Sequence, residues 1–246
     1  FTKRAAVEMR ERLTALGVPG VQARTFHSAA LRQLQYFWPS AIGGSMPPLI
    51  EHKASLIAAA AARIGIRADK ALVRDLAAEV EWSKVSMLDA DAYAEAVRAN
   101  RRTPPGDLSA DDVLALMDAY QEAKEDRGVL DFEDVLVLTA GILQDYPAIA
   151  QRIHRQYRSF VVDEYQDVSA LQHHVLNLWL GGRHDICVVG DVAQTIYSFA
   201  GASPRYLQDF AQEHKGARVV QLVRDYRSTP QIVSAANTLM KGEHSS

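Results

Sequence analysis

Residues 159–167 read SFVVDEYQD, a short apolar run that ends in two adjacent acids, Asp163 and Glu164. The Val-rich run predicts a buried strand. Parallel sheets bind their ligands outside the carboxyl ends of the strands, so both carboxylates are expected at such an edge. One carboxylate can hold Mg²⁺ on nucleotide phosphates while its neighbour positions or activates an attacking water. Taken alone, the pattern also fits a solvated strand end.

Three further apolar runs predict strands, and helical patterns lie between them. These runs are residues 21–24, 186–189 and 219–222. Ser169-Ala170-Leu171-Gln172 has the pattern of a capping box at a helix start. Thr229-Pro230 opens another helix, with proline at its first position. Strands that alternate with helices predict an α/β fold with a mostly parallel sheet.

Strand signals stop between about residues 39 and 127, and helical periodicity replaces them. Apolar residues recur there at helical spacing, as at Val73, Leu76 and Val80, and the alanine-rich run 58–62 is expected in a helix core. Helix-breaking pairs lie at the edges of the region. They are Trp38-Pro39, Gly43-Gly44 and Pro47-Pro48 at its start and Arg127-Gly128 at its end. The pattern predicts an all-helical subdomain inserted into the α/β domain.

Composition and charge exclude several classes of protein. With 246 residues, 48% of them hydrophobic, the chain can bury a sizeable core and is not mainly disordered. The net charge of −3 gives no overall basic signal, but residues 1–36 hold six Lys or Arg against two acids, which predicts a local basic surface. No apolar stretch is long enough for a membrane span, and no signal peptide is visible. The single cysteine, Cys187, is expected in a buried strand and favours a reduced, cytoplasmic protein.

Six short segments occur in the order and spacing of a known family. They are FTKRAA (1–6), TFHS (25–28), LDFED (130–134), SFVVDEYQD (159–167), GDVAQTIYSFAGA (190–202) and DYRSTP (225–230). In this set the sequence resembles the superfamily 1 DNA helicases of the UvrD/PcrA/Rep type over nearly its whole length. The form SFAGA at residues 198–202 is similar to that of a second, divergent UvrD-type helicase of actinobacteria.

The resemblance implies a fold, an activity and partners. The fold would be a RecA-like P-loop NTPase motor domain with a parallel sheet, built from residues 1–38 and 128–218 around the helical subdomain 39–127. Residues 219–246 would begin a second motor domain. The implied activity is that of a helicase or translocase dependent on ATP and Mg²⁺, moving 3′ to 5′ on single-stranded DNA in DNA repair or restart of replication. Implied partners are single-stranded DNA, duplex junctions and DNA-repair proteins.

Five residues are implied to act on the nucleotide. Asp163 matches the Mg²⁺ ligand of the family's Walker B segment, and Glu164 matches the catalytic base beside the metal. Gln194 would sense the γ-phosphate and report its presence to the DNA site. Tyr226 would stack on adenine, and Arg227 would contact the γ-phosphate. A second-domain arginine stabilises developing charge only when the cleft closes.

Five other residues are implied to contact DNA. Phe1, Tyr197 and Phe199 match positions where aromatic rings stack on single-stranded bases, a contact that is indifferent to sequence. Thr25 and His27 fall where the family touches the DNA backbone. For an aromatic residue considered alone, core packing is the commoner role.

The sequence also departs from the family pattern. Lys3 and Asp225 stand where the family has asparagine, and Phe199-Ala200 replaces a Trp-Arg pair, which removes a guanidinium near the DNA. None of the 14 glycines is followed by lysine, so the sequence holds no G-x-x-x-x-G-K-[ST] P-loop. In the family that loop lies just upstream of the segment that begins here at Phe1. We therefore expect a fragment that does not hydrolyse ATP by itself.

Two readings from other classes stay open. The chain could be a non-catalytic fragment that binds single-stranded DNA or a partner protein, which the missing P-loop supports. It could also belong to another P-loop ATPase, such as a chromosome-organising or transport motor, for which DNA-independent turnover would be diagnostic.

The acids Asp131, Glu133 and Asp134 resemble a metal cluster, but the apolar residues that follow favour an acidic helix start stabilised by the helix dipole.

Overall fold

A computed structural model of the chain describes residues 3–18, 20–222 and 228–243. The chain divides into two compact units, residues 1–209 and residues 210–246. The helices of the first unit are α1 (Lys3–Ala15), α2 (Phe26–Ala41), α3 (Ala54–Arg63), α4 (Lys70–Val85), α5 (Ala90–Arg98), α6 (Ala110–Arg127), α7 (Asp134–Asp145), α8 (Pro147–Gln156), α9 (Ala170–Leu180) and α10 (Arg205–Gln208). Its strands are β1 (Phe160–Val162) and β2 (Ile186–Val188). The second unit contains α11 (Phe210–Glu213) and α12 (Pro230–Glu243).

The sheet is parallel, as predicted, but it is smaller than the sequence suggested. β1 and β2 pair in register, with Val162 opposite Val188. Residues 21–24 and 219–222 were expected to be strands, and in the structure neither segment is one. The reason is that an apolar run becomes a strand only where a neighbouring strand supplies hydrogen bonds, and within the described residues β1 and β2 alone pair in this way. The described chain is therefore helix-rich α/β with a small parallel sheet.

One face of this sheet is open in the described part of the chain. Val161 is 77% exposed, and Cys187, its partner in β2, is exposed as well. The prediction that Cys187 is buried is therefore wrong. Burial of a parallel strand requires a layer packed on each face, and the apolar sequence of a strand cannot show whether both layers are present.

Two predicted helix starts are confirmed, and one predicted helix break is wrong. Ser169 caps α9 through a reciprocal capping box with Gln172, and α12 begins at Pro230. Helix α2, by contrast, continues through Pro39 to Ala41. A proline in the last turn removes little of the backbone hydrogen bonding of a helix, so the helix is not broken there.

The predicted helical region has its own hydrophobic core. Helices α3, α4 and α6 pack together, and the alanine-rich run lies inside α3 as expected. The buried residues of this core are Leu56, Ile57, Ala60, Ala61, Val73, Leu76, Val80, Leu116, Ala119 and Tyr120. The segments that lead into α3 and out of α6 lie side by side: the N–H of Ile50 donates to the Leu130 carbonyl at 2.9 Å, and the N–H of Leu130 donates to the Pro48 carbonyl at 3.0 Å.

Helices α2, α7, α8 and α9 form a second packed group in the first unit. Trp179 of α9 lies between Phe26 and Phe160, with ring centroids at 5.9 and 6.2 Å, and its indole N–H donates to Gln33 Oε1 at 2.8 Å. Arg183 donates to the carbonyls that end α8 and α9.

Within the described residues, none of the helices has the length and apolarity that crossing a membrane requires.

Candidate functional site

Two exposed carboxylates follow β1 directly. Asp163 and Glu164 are both exposed, and the N–H of Glu164 donates to Asp163 Oδ1 at 3.0 Å. Glu164 adopts a left-handed backbone conformation, with φ of 53°. Such a conformation costs a non-glycine residue about 1–3 kcal/mol, and strained residues of this kind cluster at functional sites. The turn at Glu164 ends the strand and leaves both acids at the edge of the sheet.

The end of β2 brings a second set of polar groups to the same edge. The N–H of Tyr165 donates to the Val189 carbonyl at 2.9 Å, which joins the segments that follow the two strands. Asp191 begins the next turn and accepts the N–H of Ala193 at 3.0 Å. The exposed side chain of Gln194 donates to Asp191 Oδ2, also at 3.0 Å. Gln194 is therefore held within the loop that follows β2.

A buried amide, Gln166, connects the two strand ends. Its side chain is 1% exposed. Its Nε2 donates to Glu164 Oε2 at 2.7 Å, and its Oε1 accepts the N–H of Asp191 at 3.1 Å. A Cβ on Gly190 would lie 2.5 Å from that same Oε1, so the close approach requires glycine. Gln166 could not be identified from the sequence, because its second partner depends on the pairing of distant strands.

The carboxylates at this edge influence one another. Partial burial raises the pKa of Asp167 above its ordinary value, and the negative charge of Glu164 raises it further. A second acid near Glu164 therefore favours binding of a positive charge at this edge.

The donor set at this edge suits a hard cation. Mg²⁺ prefers oxygen ligands and is usually held by one or two carboxylates together with substrate phosphates. Asp163 and Glu164 provide two exposed carboxylates of this kind. Across residues 3–18, 20–222 and 228–243, no group of three or more His, Cys, Asp or Glu could hold a metal ion. The predicted nucleotide contacts Tyr226 and Arg227, and the predicted DNA contact Phe1, lie outside the described residues.

Two exposed aromatic rings lie in the loop that follows Gln194. Tyr197 is 49% exposed and Phe199 is 74% exposed, with ring centroids 6.2 Å apart. Ala202 forms an antiparallel bridge to Ser169 at the base of the loop. Neither ring is part of the core, so both are available to a ligand.

Gly201 fixes this aromatic loop against α4. Its φ is +90°, and a Cβ built on it would lie 2.6 Å from Val85 Cγ2. A side chain at this position would push the loop away from the helical region. The contact joins the loop that carries Tyr197 and Phe199 to α4.

The structure places Thr25 and His27 at the start of α2. Thr25 is the N-cap, and its Oγ1 accepts the N–H of Ser28 at 3.2 Å. The His27 ring stacks on Phe132 with centroids 3.9 Å apart. Burial lowers the pKa of His27 from 6.5 to about 4, and its buried Nε2 has no hydrogen-bond partner among the described residues. Both residues thus have local structural contacts that the sequence did not reveal.

The lowered pKa of His27 predicts a loss of stability in acid. Unfolded histidine takes up a proton near pH 6.5, whereas folded His27 does so only near pH 4. The stability is therefore complete above pH 6.5 and is lost as the pH falls towards 4. We expect His27→Phe, which keeps a flat ring on Phe132, to reduce this loss in urea denaturation across that range. Equal losses in both proteins would contradict the prediction.

The acidic segment before α7 forms a buried cluster with lysines of the helical region. Helix α7 begins at Asp134, as predicted, and the N–H groups of Asp131 and Asp134 each donate to the other's carboxylate at 2.9 Å. Lys84 Nζ lies 2.8 Å from Asp131 and 2.7 Å from Asp134. Lys124, 1% exposed, pairs with the same two carboxylates. The acids therefore do more than begin a helix.

A third lysine, Lys53, extends this cluster through an ion pair with Glu133, and burial shifts the pKa values of the acids. Lys53 Nζ lies 2.6 Å from the buried carboxylate of Glu133. Burial raises the pKa of Glu133, and the Lys53 charge only partly offsets this effect. Burial would also raise the pKa of Asp131, but the charges of Lys84 and Lys124 hold it well below its ordinary value. The six side chains Lys53, Lys84, Lys124, Asp131, Glu133 and Asp134 are called the lysine–carboxylate cluster below.

Comparison with known proteins gives a consistent set of relatives. A family model described as the UvrD/REP helicase N-terminal domain matches residues 1–215. The ATP-dependent DNA helicase UvrD2 of Mycobacterium tuberculosis strain H37Rv is 50% identical over 252 residues, which cover 98% of this chain and 36% of that protein. The ATP-dependent DNA helicase UvrD1 of Mycobacterium leprae is 32% identical over 258 residues, with 98% and 32% covered. The ATP-dependent DNA helicase PcrA of Leuconostoc citreum is 29% identical over 246 residues, with 98% and 32% covered. The chain spans about a third of the length of these relatives.

Proposed function

We propose a function from the premise that this chain belongs to the family of UvrD/REP helicase N-terminal domains. We propose that it is part of an ATP- and Mg²⁺-dependent DNA helicase or translocase that moves 3′ to 5′ along single-stranded DNA. One observation carries the proposal: Asp163, Glu164 and Gln194 lie at neighbouring strand ends, and two exposed aromatic rings follow in the same loop. A nucleotide site and a DNA site would then share one connected segment of chain.

The proposed chemistry assigns a separate task to each residue. Bound ATP with Mg²⁺ supplies the phosphoryl group whose transfer to water releases free energy. Asp163 is the proposed metal ligand, and Glu164 accepts the proton of the attacking water at its carboxylate. Gln194 contacts the γ-phosphate and transmits its presence to the aromatic loop. Tyr226 stacks on the adenine, and Arg227 stabilises charge on the γ-phosphate.

The proposed DNA site consists of stacking rings and backbone contacts. Tyr197 and Phe199 would stack on successive bases, together with Phe1, while Thr25 and His27 contact the DNA backbone. Stacking tolerates every base, which a motor that moves along DNA requires. Single-stranded DNA, duplex junctions and DNA-repair proteins are the proposed partners. The proposal places the protein in the cytoplasm, a compartment that also suits a chain with one cysteine.

The proposed domain arrangement follows from the family. Residues 1–38 and 128–218 would form a RecA-like motor domain, residues 39–127 its helical insertion, and residues 219–246 the start of a second motor domain. The sequence holds no G-K pair, so we propose that the chain alone does not hydrolyse ATP. That absence also favours the second candidate, a non-catalytic fragment that binds single-stranded DNA.

ATP hydrolysis with and without single-stranded DNA tests both candidates. We expect a full-length protein that contains this chain to hydrolyse ATP, with strong stimulation by single-stranded DNA. The chain alone should bind single-stranded DNA without turnover. DNA-independent hydrolysis by the full-length protein would contradict the helicase proposal and favour another class of P-loop ATPase. DNA binding without any hydrolysis in the full-length protein would favour the non-catalytic candidate.

Replacement of Phe199 by Ala tests the proposed DNA contact. We expect single-strand affinity to fall by about 1–3 kcal/mol, because one base loses its stacking partner. The urea midpoint should stay unchanged, since the ring is 74% exposed and leaves no cavity when removed. Fluorescence anisotropy with a labelled oligonucleotide measures the affinity. The matched control is Tyr36→Ala, which removes another exposed ring, on α2. Unchanged affinity together with a lower midpoint would show a packing role instead.

A further inference from the structure

We propose that Gln166 is a positioning residue that ties the carboxylate of Glu164 to the loop carrying Gln194. The inference rests on the proposed function and deepens it, because it concerns how the same site is held. Gln166 is 1% exposed, although it lies between two exposed acids of its own segment and an exposed loop. Both ends of its amide are used, with Nε2 on Glu164 Oε2 at 2.7 Å and Oε1 on the Asp191 N–H at 3.1 Å.

The hydrogen bonds form a continuous path between two proposed catalytic groups. Glu164 contacts the Gln166 amide, the amide contacts the backbone of Asp191, and the Asp191 side chain accepts from Gln194 Nε2 at 3.0 Å. Each link is a single hydrogen bond within the described residues. A displacement of Gln194 on meeting a γ-phosphate would therefore move the Glu164 carboxylate through Gln166.

Glutamine is the side chain that this position requires. The site needs one N–H donor for the carboxylate and one oxygen acceptor for the backbone, and glutamine carries both on one planar group. A glutamate would keep the acceptor and lose the donor, and a leucine would lose both. Gly190 leaves room for the Gln166 amide, since a Cβ at residue 190 would lie 2.5 Å from Gln166 Oε1.

The contact also explains how an exposed carboxylate acquires one orientation. Glu164 is exposed and adopts a left-handed backbone conformation, so packing alone does not select its rotamer. The bond from Gln166 fixes one of its oxygens and leaves the other free for a water. A proposed general base requires such orientation, because a displacement of about 1 Å can reduce a rate by about 100-fold.

The first test is Gln166→Glu in a full-length protein that contains this chain. This variant keeps the acceptor for the Asp191 N–H and replaces the donor to Glu164 by a repelling carboxylate. We expect kcat for single-strand-stimulated ATP hydrolysis to fall by about 10- to 100-fold with little change in KM for ATP. The matched control is Gln172→Glu, which adds the same charge at the third position of α9, where glutamate also completes a capping box. The control should keep wild-type kcat.

A second readout does not depend on turnover. A non-hydrolysable ATP analogue should change the single-strand affinity of the wild-type protein, and Gln166→Leu, which has neither polar group, should lose that response. The swapped double variant Glu164→Gln with Gln166→Glu reverses donor and acceptor across the same contact. It should recover the urea midpoint and the response to the analogue, but not ATP hydrolysis.

The outcomes separate this inference from the proposed function. If the wild-type protein shows no single-strand-stimulated hydrolysis, the proposed function fails, whatever the variants do. If the wild-type protein is active and Gln166→Glu keeps its kcat, the positioning role is overturned. If Gln166→Glu lowers the urea midpoint, the swapped variant decides: recovery of the midpoint and the response supports the contact, and failure to recover either overturns it.

Discussion

Glu164→Gln abolishes ATP turnover in a full-length protein that contains this chain: we expect kcat to fall by about 10²- to 10⁴-fold, the usual contribution of a general base. The side chain keeps its size, and the amide oxygen can still accept from Gln166 Nε2, which lies 2.7 Å from Glu164 Oε2 in the native contact. Only the ability to take a proton from water is lost. Affinities for ATP and for single-stranded DNA should therefore stay close to wild type.

Steady-state hydrolysis and direct binding measure this result. Glu51→Gln removes another exposed carboxylate outside the site and should leave kcat unchanged. Retention of wild-type turnover by Glu164→Gln would exclude Glu164 as the base. A fall in ATP affinity as large as the fall in kcat would instead indicate that Glu164 acts mainly in nucleotide binding.

Lys124→Met should lower the free energy of unfolding by about 3–5 kcal/mol, the cost of leaving one partner of a buried ion pair unpaired. Lys124 is 1% exposed and lies between the carboxylates of Asp131 and Asp134. Methionine fills a similar volume, so the expected loss comes from the remaining charges and not from a cavity. Lys84 alone would then face both acids.

Urea denaturation of the chain provides the measurement. The control is Glu122→Ala on the same helix, which removes an exposed partner of Arg63 at 2.9 Å and should cost no more than about 1 kcal/mol. A loss for Lys124→Met as small as that of the control would show that the lysine–carboxylate cluster is not effectively buried. The double variant with Asp134→Asn removes a charge of each sign, and it should be less destabilised than the sum of its single changes.

Features set by local sequence were predicted well. The capping box at Ser169, the proline start at Pro230 and the helical region with its alanine-rich core depend on residues within a few positions of one another, and the structure confirms all of them. The family resemblance, inferred from six short segments, is confirmed by the match over residues 1–215. The two acids after β1 likewise lie at a strand end, because the apolar run and the acids that follow it are consecutive in the sequence.

Features that depend on distant partners were not predictable in the same way. Whether residues 21–24 form a strand, or whether Cys187 is buried, depends on which other elements lie beside them. The amide of Gln166 and the stacking of His27 on Phe132 depend on contacts between separate segments. The sequence predicted the types of the proposed site residues, and the structure supplied the contacts that hold them.

The lysine–carboxylate cluster limits which deletions this chain can tolerate. The connections to the helical region pair at residues 49 and 130, so a single deletion of the residues between them could in geometric terms remove the region and rejoin the chain. That deletion would remove Lys53, Lys84 and Lys124 together and leave three acids beside α7 without their lysine partners. A relative with a shortened helical region must therefore also have replaced these acids. Comparison of relatives should show the helical region and the three acids lost together.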